Sequence, residues 1–587
     1  MKQFFKFVFA TIVGIIILTV LLFIIVIGIA VGLSGDKTID VPSNSVMRIA
    51  LTSDIKERTP NNPLAALGFL GFDEHRAIGL NDILANIKKA KTDDHIKGIF
   101  LDESYMLAGQ ATTEEIRNAL IDFKRSGKFI IAYGEIYTQS FYYLSSVADK
   151  IYMNPKGIFE FHGFSSQIMF YKGAMDKLGI EAQVIKVGTY KSATEPFVLN
   201  KMSDANRKQV TEYLGSMYDH FLTGISASRK ISKDSLFNIA NNMLVRNAED
   251  AVKFRLIDGL RYKDELLDEL KGRTGLSKKQ NVKSVDIADY TKAASDDKDT
   301  TTSNSRIAIV YASGEITGGD GDDNTIGSER ISKTLRQVRL DDKVKAVVLR
   351  VNSPGGSSLA SDVIWREVML TKKVKPIIVS MGDVAASGGY YISCAADSIY
   401  AEPNTITGSI GIFAIIPNMQ KFFNEKLGLT FDGVKTGKYA DLGNGTRPLS
   451  PEEKDILQNM INRGYDDFTK AVANGRGKTQ AYINTIAQGR VWTGQQAIKI
   501  GLVDKLGNIN DAIRSAAAKA KIKDYSLVPY PEQESSFKNI GRNISVEMRT
   551  HFTKAELGDN YKYYEQVKQA TQMSGILARM PYEVTLN

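Results

Sequence analysis

Short apolar runs alternate with amphipathic stretches along most of the chain. Two runs, Val344-Lys-Ala-Val-Val-Leu349 and Pro376-Ile-Ile-Val379, are rich in β-branched residues and predict buried strands, whereas Ala360 to Leu370 has the spacing of a helix. Unbroken apolar strands that alternate with helices are typical of a mainly parallel sheet covered by helices. The sequence therefore predicts an α/β fold, in which a site would lie beyond the carboxyl ends of the strands.

This pattern occurs twice. Asp93-Asp-His-Ile-Lys-Gly98 aligns with Asp341-Asp-Lys-Val-Lys-Ala346, and the same offset of 248 positions continues without a gap to Pro155 and Pro403. Self-similarity over such a length predicts two homologous domains from an internal duplication. We place the first copy at residues 40–293 and the second copy at residues 306–529, joined by a polar linker over 294–305. The tail, residues 530–587, is polar with scattered aromatic residues, and the sequence assigns it no role.

One serine stands at the exit of a predicted strand of the second copy. The stretch Gly382-Asp-Val-Ala-Ala-Ser-Gly-Gly-Tyr390 predicts a strand, a glycine-flanked turn and a helix, with Ser387 at the turn. The hydroxyl would lie near unpaired helix amides, which favour developing negative charge. The alternative is a serine that only caps the helix, because such turns are common.

The duplication allows the two copies to be compared at this turn. Ser387 corresponds to Gln139, and the two glycines that follow it correspond to Ser140-Phe141. The glycine pair of Asn352-Ser-Pro-Gly-Gly-Ser357 is also absent from the matching loop of the first copy. Glycines that served only the fold would be needed in both copies, so their restriction to the copy with the serine favours a functional site.

A serine nucleophile needs a base, and the sequence offers two kinds of candidate. The histidines have no evident partner acid, although His162 lies near a glycine-containing run and stays a candidate; the five are His75, His95, His162, His220 and His551. The second candidate is Lys191, which follows a stretch that matches Lys435-Thr-Gly-Lys-Tyr439 and corresponds to Ala440. The first copy thus has the lysine without the serine, and the second copy has the serine without the lysine. This complementary loss favours Lys191, with Phe197 as an apolar neighbour that could desolvate it.

The N-terminus predicts a membrane anchor. Residues 7–35 contain no charged side chain and are mostly apolar, which is long enough to span a bilayer. A cleavable signal peptide is the alternative, but its apolar region is shorter and ends in a small-residue site that is not evident here. Because Lys2 and Lys6 precede the run, residues 1–6 are expected in the cytoplasm and the body on the far side of the membrane.

The composition of the chain excludes some classes of partner and site. The chain of 587 residues is 43% hydrophobic and 24% charged, as expected for folded domains. Its net charge of +9 comes from scattered basic residues, so no nucleic-acid partner is predicted. Cys394 is the single cysteine, which excludes an intramolecular disulfide and a cysteine-cluster metal site.

Several motifs together resemble one family. The resemblance covers nearly all of residues 40–525 and rests on Gly188-Thr-Tyr-Lys-Ser-Ala-Thr-Glu-Pro-Phe197, Asn352-Ser-Pro-Gly-Gly356, the serine stretch above, Thr407-Gly-Ser-Ile-Gly-Ile-Phe413 and Gly489-Arg-Val-Trp-Thr-Gly494. The chain is similar to the signal peptide peptidase A family, also called protease IV. These are membrane-anchored serine proteases of the ClpP/crotonase superfamily.

The resemblance implies a role for individual residues. It makes Ser387 the nucleophile and Lys191 the general base, with Ser409 holding the lysine amine and the amides of Gly356 and Gly388 forming the oxyanion hole. It implies no metal and no cofactor. The two rival functions are an acyl-CoA hydratase or isomerase of the same superfamily, and a catalytically silent scaffold or chaperone.

The resemblance also implies a domain organisation, a cellular location and a substrate class. It predicts two tandem ClpP/crotonase-like domains after a single transmembrane helix, in a homo-oligomer that is a tetramer in the family. The protein would lie in the inner membrane, with its body on the periplasmic or extracytoplasmic side. Its substrates would be membrane-associated peptides such as cleaved signal peptides.

Overall fold

The structure is a computed structural model. It describes residues 2–33, 38–60, 78–102, 106, 108–294, 303–533 and 575–580, with isolated positions between 553 and 568. Helix α1 spans Lys2–Leu33, although the side chains of residues 2, 20 and 22–33 are outside this description. No helix within the described part is both long and apolar enough to cross a bilayer. About half of the anchor predicted over residues 7–35 lies outside the described side chains, and the anchor stays a prediction.

The first copy consists of alternating strands and helices. Its strands are β1 (Ser45–Ile49), β2 (Ile96–Asp102), β3 (Phe129–Tyr137), β4 (Lys150–Phe159), β5 (Glu181–Lys186), β6 (Gly259–Leu260) and β7 (Ser284–Asp286). Its helices are α2 (Leu80–Thr92), α3 (Gln110–Lys124), α4 (Gln139–Ser145), α5 (Lys172–Leu178), α6 (Glu195–Val198), α7 (Asp204–Arg229), α8 (Lys233–Asn241), α9 (Ala248–Lys253), α10 (Lys263–Arg273) and α11 (Ile287–Tyr290).

The second copy repeats this alternation. Its strands are β8 (Arg306–Ser313), β9 (Glu315–Thr317), β10 (Thr325–Gly327), β11 (Val344–Ser353), β12 (Gly355–Ser357), β13 (Ile377–Ala386), β14 (Ser398–Ala401), β15 (Ile406–Gly408), β16 (Phe413–Asn418), β17 (Val491–Thr493), β18 (Lys505–Leu506) and β19 (Ser526–Tyr530), and the tail adds β20 (Ile576–Arg579). Its helices are α12 (Ser328–Leu340), α13 (Ser358–Lys372), α14 (Gly388–Ser393), α15 (Pro451–Arg476), α16 (Gln480–Ile486), α17 (Gly494–Ala497) and α18 (Ile509–Ala520).

The central sheets of the two copies have the same strand order. In the first copy the order is β6-β4-β3-β2-β1-β7, and every neighbouring pair is parallel. In the second copy the path β18-β14-β13-β11-β8-β19 has the same order and direction, and β15 and β17 extend it beside β13. The predicted α/β class and the duplication are confirmed.

A third sheet combines the two copies. Its order is β10-β9-β12-β20-β16-β5, so a strand of the first copy lies at one edge and a strand of the tail lies inside. Strand β5 pairs antiparallel with β16, from Lys186 opposite Phe413 to Glu181 opposite Asn418. Lys191 lies in the loop directly after β5, which we call the lysine loop. The pairing of β5 with β16 brings this loop of the first copy to the second copy.

A buried ion-pair network also joins the copies. The Arg350 guanidinium donates to Glu57 Oε2 at 2.8 Å and to Glu115 Oε1 at 2.6 Å, and all three side chains are buried. Both carboxylates belong to the first copy, whereas Arg350 lies on β11 of the second copy. Removing one partner of such a network leaves a buried charge uncompensated, which typically costs about 3–5 kcal/mol. The network therefore fixes how the first copy sits against the strand next to β13.

Candidate active site

Ser387 occupies a strained turn between β13 and α14. Its φ of 54° and ψ of −112° lie outside the usual regions for a residue with a side chain. The Ser387 amide donates to the Gly408 carbonyl at 2.8 Å, and the Ser387 side chain makes no capping bond to the helix. The strand, turn and helix predicted from the sequence are present, and Ser387 occupies the N-cap position of α14 without using its hydroxyl as the cap. Strain of this kind persists only where neighbouring contacts enforce it, and it concentrates at functional sites.

The glycines after Ser387 allow close packing of the turn. A Cβ on Gly388 would lie 2.6 Å from Ser361 Oγ, and a Cβ on Gly389 would lie 2.7 Å from the Ser353 carbonyl oxygen. Any larger residue would therefore push α14 away from β11 and α13. The first copy has Ser140-Phe141 at these positions.

Gln139 of the first copy stands where the second copy has Ser387. The Gln139 side chain donates to the Gly163 carbonyl at 2.9 Å and accepts from the amides of His162 at 3.2 Å and Gly163 at 3.0 Å. The glutamine thus ties its turn to a neighbouring loop through backbone groups alone. In the first copy this position is structural.

Lys191 reaches Ser387 within one chain. The Lys191 Nζ lies 2.9 Å from Ser387 Oγ, 3.0 Å from the Ser409 carbonyl oxygen and 3.1 Å from Ser409 Oγ. A neutral amine has two N–H donors and one lone pair, so it can donate to both Ser409 oxygens and accept the proton of the Ser387 hydroxyl. The structure thus brings together three of the side chains selected from the sequence.

Burial sets the electrostatics of this cluster. Lys191, Ser387 and Ser409 are each fully buried, at 0% exposure. Burial disfavours a charged ammonium group, and it holds the pKa of Lys191 well below its ordinary value of 10.5. The Phe413 ring centroid lies 5.9 Å from Nζ, whereas Phe197, the neighbour proposed from the sequence, packs its ring against Tyr171. The environment therefore favours the neutral amine.

Two glycines make room for the backbone and the side chain of Lys191. A Cβ on Gly489 would lie 2.6 Å from the backbone nitrogen and Cα of Lys191, and a Cβ on Gly411 would lie 3.2 Å from Lys191 Cδ. Gln209 of α7 supports the same loop, because its Nε2 donates to the Tyr190 carbonyl at 3.2 Å and its Oε1 accepts from the Val491 amide at 3.2 Å. The lysine is thus placed by contacts from both copies.

We expect Gly489→Ala to impair catalysis more than folding. Gly489 has a φ of +77°, and its added methyl group would meet the backbone of Lys191, so the lysine loop must shift. Because a displacement of about 1 Å can lower a rate roughly 100-fold, kcat/KM for a peptide substrate should fall by about that factor. Gly477→Ala is the control, since Gly477 also has positive φ, at +61°, but no atom within 4 Å of the added group. A similar kcat/KM for both variants would contradict this role for Gly489.

The predicted oxyanion glycines lie next to the serine turn. Gly356 is on β12, directly after Gly355, whose added Cβ would lie 2.7 Å from the amide nitrogen of Gly388. A Cβ on Gly356 itself would meet the Ile316 carbonyl oxygen of β9 at 2.1 Å. Glycine at these positions lets β12 approach both β9 and the start of α14. The Gly355-Gly356 segment therefore lies against the start of α14, next to Ser387.

Two of the described histidine rings contact carboxylates of the first copy. His95 Nδ1 lies 3.1 Å from Asp93, and His220 Nε2 lies 3.2 Å from Glu114. His162 meets Gln139 through its amide, as described above, while His75 and His551 lie outside the described residues. Among the residues that are described, no group of three or more His, Cys, Asp or Glu side chains is placed to hold a metal ion.

Reasoning from the sequence missed one element of this region. Strand β20 comes from the tail and pairs with both β12 and β16, beside Gly388 and the lysine loop. The only sequence signal was a short apolar run, Ile576-Leu577-Ala578, after Gly575. Three residues without a repeat partner do not predict where a strand will pair.

Comparisons with known proteins define the class of this enzyme. The model of Peptidase family S49 matches the chain twice, over residues 122–277 and 369–523, once in each copy. Protease 4 of Salmonella typhi is 38% identical over 87% of this chain and 85% of its own length. Protease 4 of Haemophilus influenzae is 37% identical over 75% of this chain and 73% of its own length. These matches make the protein a serine protease.

The same matches settle the family. The chloroplastic serine protease SPPA of Arabidopsis thaliana is 35% identical over 79% of this chain and 69% of its own length. The chain belongs to Peptidase family S49, and the resemblance to protease IV is confirmed. A solved structure, a point mutant of ClpP1 from Listeria monocytogenes, covers 35% of this chain and 94% of its own at 18% identity, with a TM-score of 0.24. A TM-score of this size leaves membership of the ClpP/crotonase superfamily a prediction.

Proposed function

We propose that the protein is an endopeptidase with a Ser-Lys dyad, in which Ser387 is the nucleophile and Lys191 the general base. The observation that supports this most strongly is the 2.9 Å contact between Lys191 Nζ and Ser387 Oγ, at a position where both side chains are fully buried. A serine hydroxyl is a weak nucleophile and needs a neutral base within hydrogen-bond reach. Burial lowers the pKa of Lys191 and so favours its neutral form, and the 2.9 Å contact is within that reach.

The reaction would proceed in two steps. Neutral Lys191 takes the proton of Ser387 as Oγ attacks the carbonyl carbon of a peptide bond, and the resulting ammonium then protonates the leaving amine. The serine is left as an acyl-enzyme. In the second step Lys191 takes a proton from water, the hydroxide attacks the ester, and the proton returns to Ser387.

Three further residues would support these steps. The amides of Gly356 and Gly388 would stabilise the oxyanion, which is the usual source of the largest electrostatic contribution in acyl transfer. Ser409 would hold the amine through its carbonyl and hydroxyl oxygens, at 3.0 Å and 3.1 Å. The neutral amine has two N–H bonds and one lone pair. With both N–H bonds directed at the Ser409 oxygens, its lone pair would be directed at the Ser387 hydroxyl.

The proposal includes the cellular location and the substrates of the enzyme. Residues 7–35 would anchor it in the inner membrane with residues 1–6 in the cytoplasm, and the body would lie on the periplasmic or extracytoplasmic side. Its substrates would be membrane-associated peptides, including cleaved signal peptides, and it would act as a homo-oligomer. A shorter relative from Enterococcus faecium, 34% identical over 40% of this chain, is named "Putative signal peptide peptidase SppA", which supports this substrate class.

The pH dependence of catalysis tests the dyad. Because only the neutral amine can accept the proton, kcat/KM should rise with pH as Lys191 loses its own proton. Burial lowers the pKa of Lys191, so this rise should be centred well below 10.5. Initial rates on a short fluorogenic peptide would give the profile. A rise centred near 10.5 would exclude a desolvated lysine as the base.

A further inference from the structure

Strand β13 bulges shortly before the turn that carries Ser387. Its pairing with β11 shifts between Met381 and Ala385, because three β13 residues lie between these two pairs and only one β11 residue does. Residues 382–384 therefore have no register partner on β11. Bulges are common beside active sites, where they re-aim a side chain. The contacts that hold residues 382–384 should therefore influence the position of Ser387.

The first copy supplies one set of contacts to this bulge. Glu57 Oε1 accepts from Asn352 Nδ2 at 2.9 Å, and Asn352 Oδ1 accepts from the Val384 amide at 3.1 Å. A Cβ on Gly382 would lie 2.6 Å from Glu57 Oε1, so the glutamate lies directly against the bulge. Two side chains thus take the place of the missing strand partner, and one of them comes from the first copy.

Asp383 makes a second set of contacts, because it caps a helix of the first copy. Asp383 Oδ1 accepts from the amides of Ala111 at 2.8 Å and Thr112 at 2.9 Å, and Oδ2 accepts from Thr112 Oγ1 at 2.5 Å. These amides belong to the first turn of α3, where backbone N–H groups lack partners within the helix. The helix dipole also favours a carboxylate at this end. A residue of the bulge thus completes a helix of the other copy.

Gly109 leaves room for this carboxylate. It is the N-cap residue of α3 and provides no side-chain cap, and its φ of −68° is one that any residue can adopt. The three atoms nearest to a Cβ on Gly109 all belong to the Asp383 carboxyl group, the closest at 2.1 Å. In the second copy the matching N-cap is Ser357, whose own Oγ accepts from the Ala360 amide at 3.3 Å. The first copy therefore takes from the second copy a cap that the second copy makes for itself.

We propose that Asp383 is a positioning residue for the nucleophile: by capping α3 of the first copy, it holds the bulge of β13 and thereby the strained turn at Ser387. This inference rests on the proposed function, since it takes Ser387 as the nucleophile. It gives the first copy a second role besides supplying Lys191. The positions of both members of the dyad are then set by contacts between the copies.

Asp383→Ala tests this role in the full-length chain. Without the cap the bulge is released, and because a displacement of about 1 Å can lower a rate roughly 100-fold, kcat for a short peptide should fall by about 10- to 100-fold with little change in KM. The rate at which a fluorophosphonate labels Ser387 should fall by a similar factor. Unchanged kcat in Asp383→Ala would overturn the inference.

Asp383→Asn is the conservative variant. The amide oxygen of asparagine can accept from both helix amides, and asparagine is as good an N-cap as aspartate, so this variant should keep most of the wild-type kcat and labelling rate. A kcat as low as that of Asp383→Ala would contradict the proposal, because the charge of Asp383 and not its contact with α3 would then be what matters.

A double variant separates positioning from helix stability. When Asp383→Ala is combined with Gly109→Ser, the new serine can cap α3 from within the first copy, as Ser357 does for α13. The Tm, which should fall in Asp383→Ala, should then recover, whereas kcat should stay low because the contact between the copies is still missing. Recovery of kcat together with the Tm would show that Asp383 acts only as a helix cap, and would overturn the inference.

The other end of β13 provides a matched control. Asp397 Oδ2 accepts from the Ile377 amide at 2.9 Å, within the second copy. Asp397→Ala should therefore lower the Tm and leave kcat unchanged. An equal loss of kcat in Asp397→Ala and Asp383→Ala would assign the effect to the stability of β13 and contradict the proposal.

A variant of the first copy tests the same contact if Asp383→Ala does not fold. The methyl group of Gly109→Ala would collide with the Asp383 carboxyl group and displace it from α3, although Asp383 itself is kept. This variant should also have a lowered kcat and a slower labelling of Ser387. Wild-type values of both in Gly109→Ala would overturn the inference.

The two proposals fail in different ways. Hydrolysis that depends on Ser387 but has the same kcat in Asp383→Ala and the wild type would overturn the positioning role and leave the dyad intact. Undiminished hydrolysis by Ser387→Ala would overturn the proposed function itself.

Discussion

Ser387→Ala should reduce kcat/KM for peptide hydrolysis on the order of 10⁵-fold. The hydroxyl forms the acyl-enzyme, and losing the nucleophile of a serine protease typically removes about 10⁴ to 10⁶ of the rate. Folding should be intact, because the substitution deletes one oxygen and alanine fills the remaining volume. The effect should therefore be confined to catalysis.

Two measurements separate this expectation from a structural effect. Steady-state hydrolysis of a short peptide gives the loss of activity, and thermal unfolding gives the stability. A fluorophosphonate probe, located by mass spectrometry, should label Ser387 in the wild type and nothing in the variant. Ser393→Ala is the control, because Ser393 is also fully buried on α14 but donates only to the Gly389 carbonyl, at 2.7 Å. Substantial turnover by Ser387→Ala would refute its role as nucleophile.

Lys191→Arg should be as inactive as Lys191→Ala, with kcat/KM lowered on the order of 10⁴-fold or more. A guanidinium cannot give up its proton in the accessible pH range, so it cannot accept the proton of Ser387. A lysine that acted only as a positive charge or hydrogen-bond donor would be replaced in part by arginine. Arginine therefore distinguishes a base from a structural cation.

The duplication provides a control for the lysine prediction. Lys191 in the first copy corresponds to Ala440 in the second, and Gln139 stands in the first copy where a nucleophile would be needed. Ala440→Lys should therefore leave kcat/KM unchanged in the wild type and should not restore Lys191→Arg. If Lys191→Arg kept activity while His162→Ala lost it, a Ser-His arrangement would replace the dyad.

Much of this architecture could be predicted from the sequence, because the duplication shows the same pattern of strands and helices twice. Apolar runs at the same offset in both copies predicted the parallel strands, and they recur in the structure as β2 with β11 and β3 with β13. The loss of a serine in one copy and a lysine in the other selected Ser387 and Lys191. Both signals come from local composition and from internal comparison, which need no knowledge of three-dimensional pairing.

What the sequence could not predict depends on contacts between distant segments. The sheet that joins β5 to β16 has no counterpart in the repeat, and neither has the buried network of Arg350 with Glu57 and Glu115. Phe413 rather than Phe197 lies against the lysine amine, because β16 and not the next turn of the lysine loop covers it. Strand β20 could not be predicted for the same reason. It is held by backbone pairing, and backbone pairing leaves little pattern in the sequence of side chains.

The protonation state of Lys191 tests the central claim most directly. The ¹³Cε resonance of this lysine can be followed with pH in protein labelled at lysine, and it is assigned by its absence from Lys191→Arg. Since burial lowers the pKa of Lys191, we predict that its resonance titrates well below 10.5, apart from those of the exposed lysines. A Lys191 resonance that titrates near 10.5 with the exposed lysines would contradict the account, because a protonated amine cannot act as the base for Ser387.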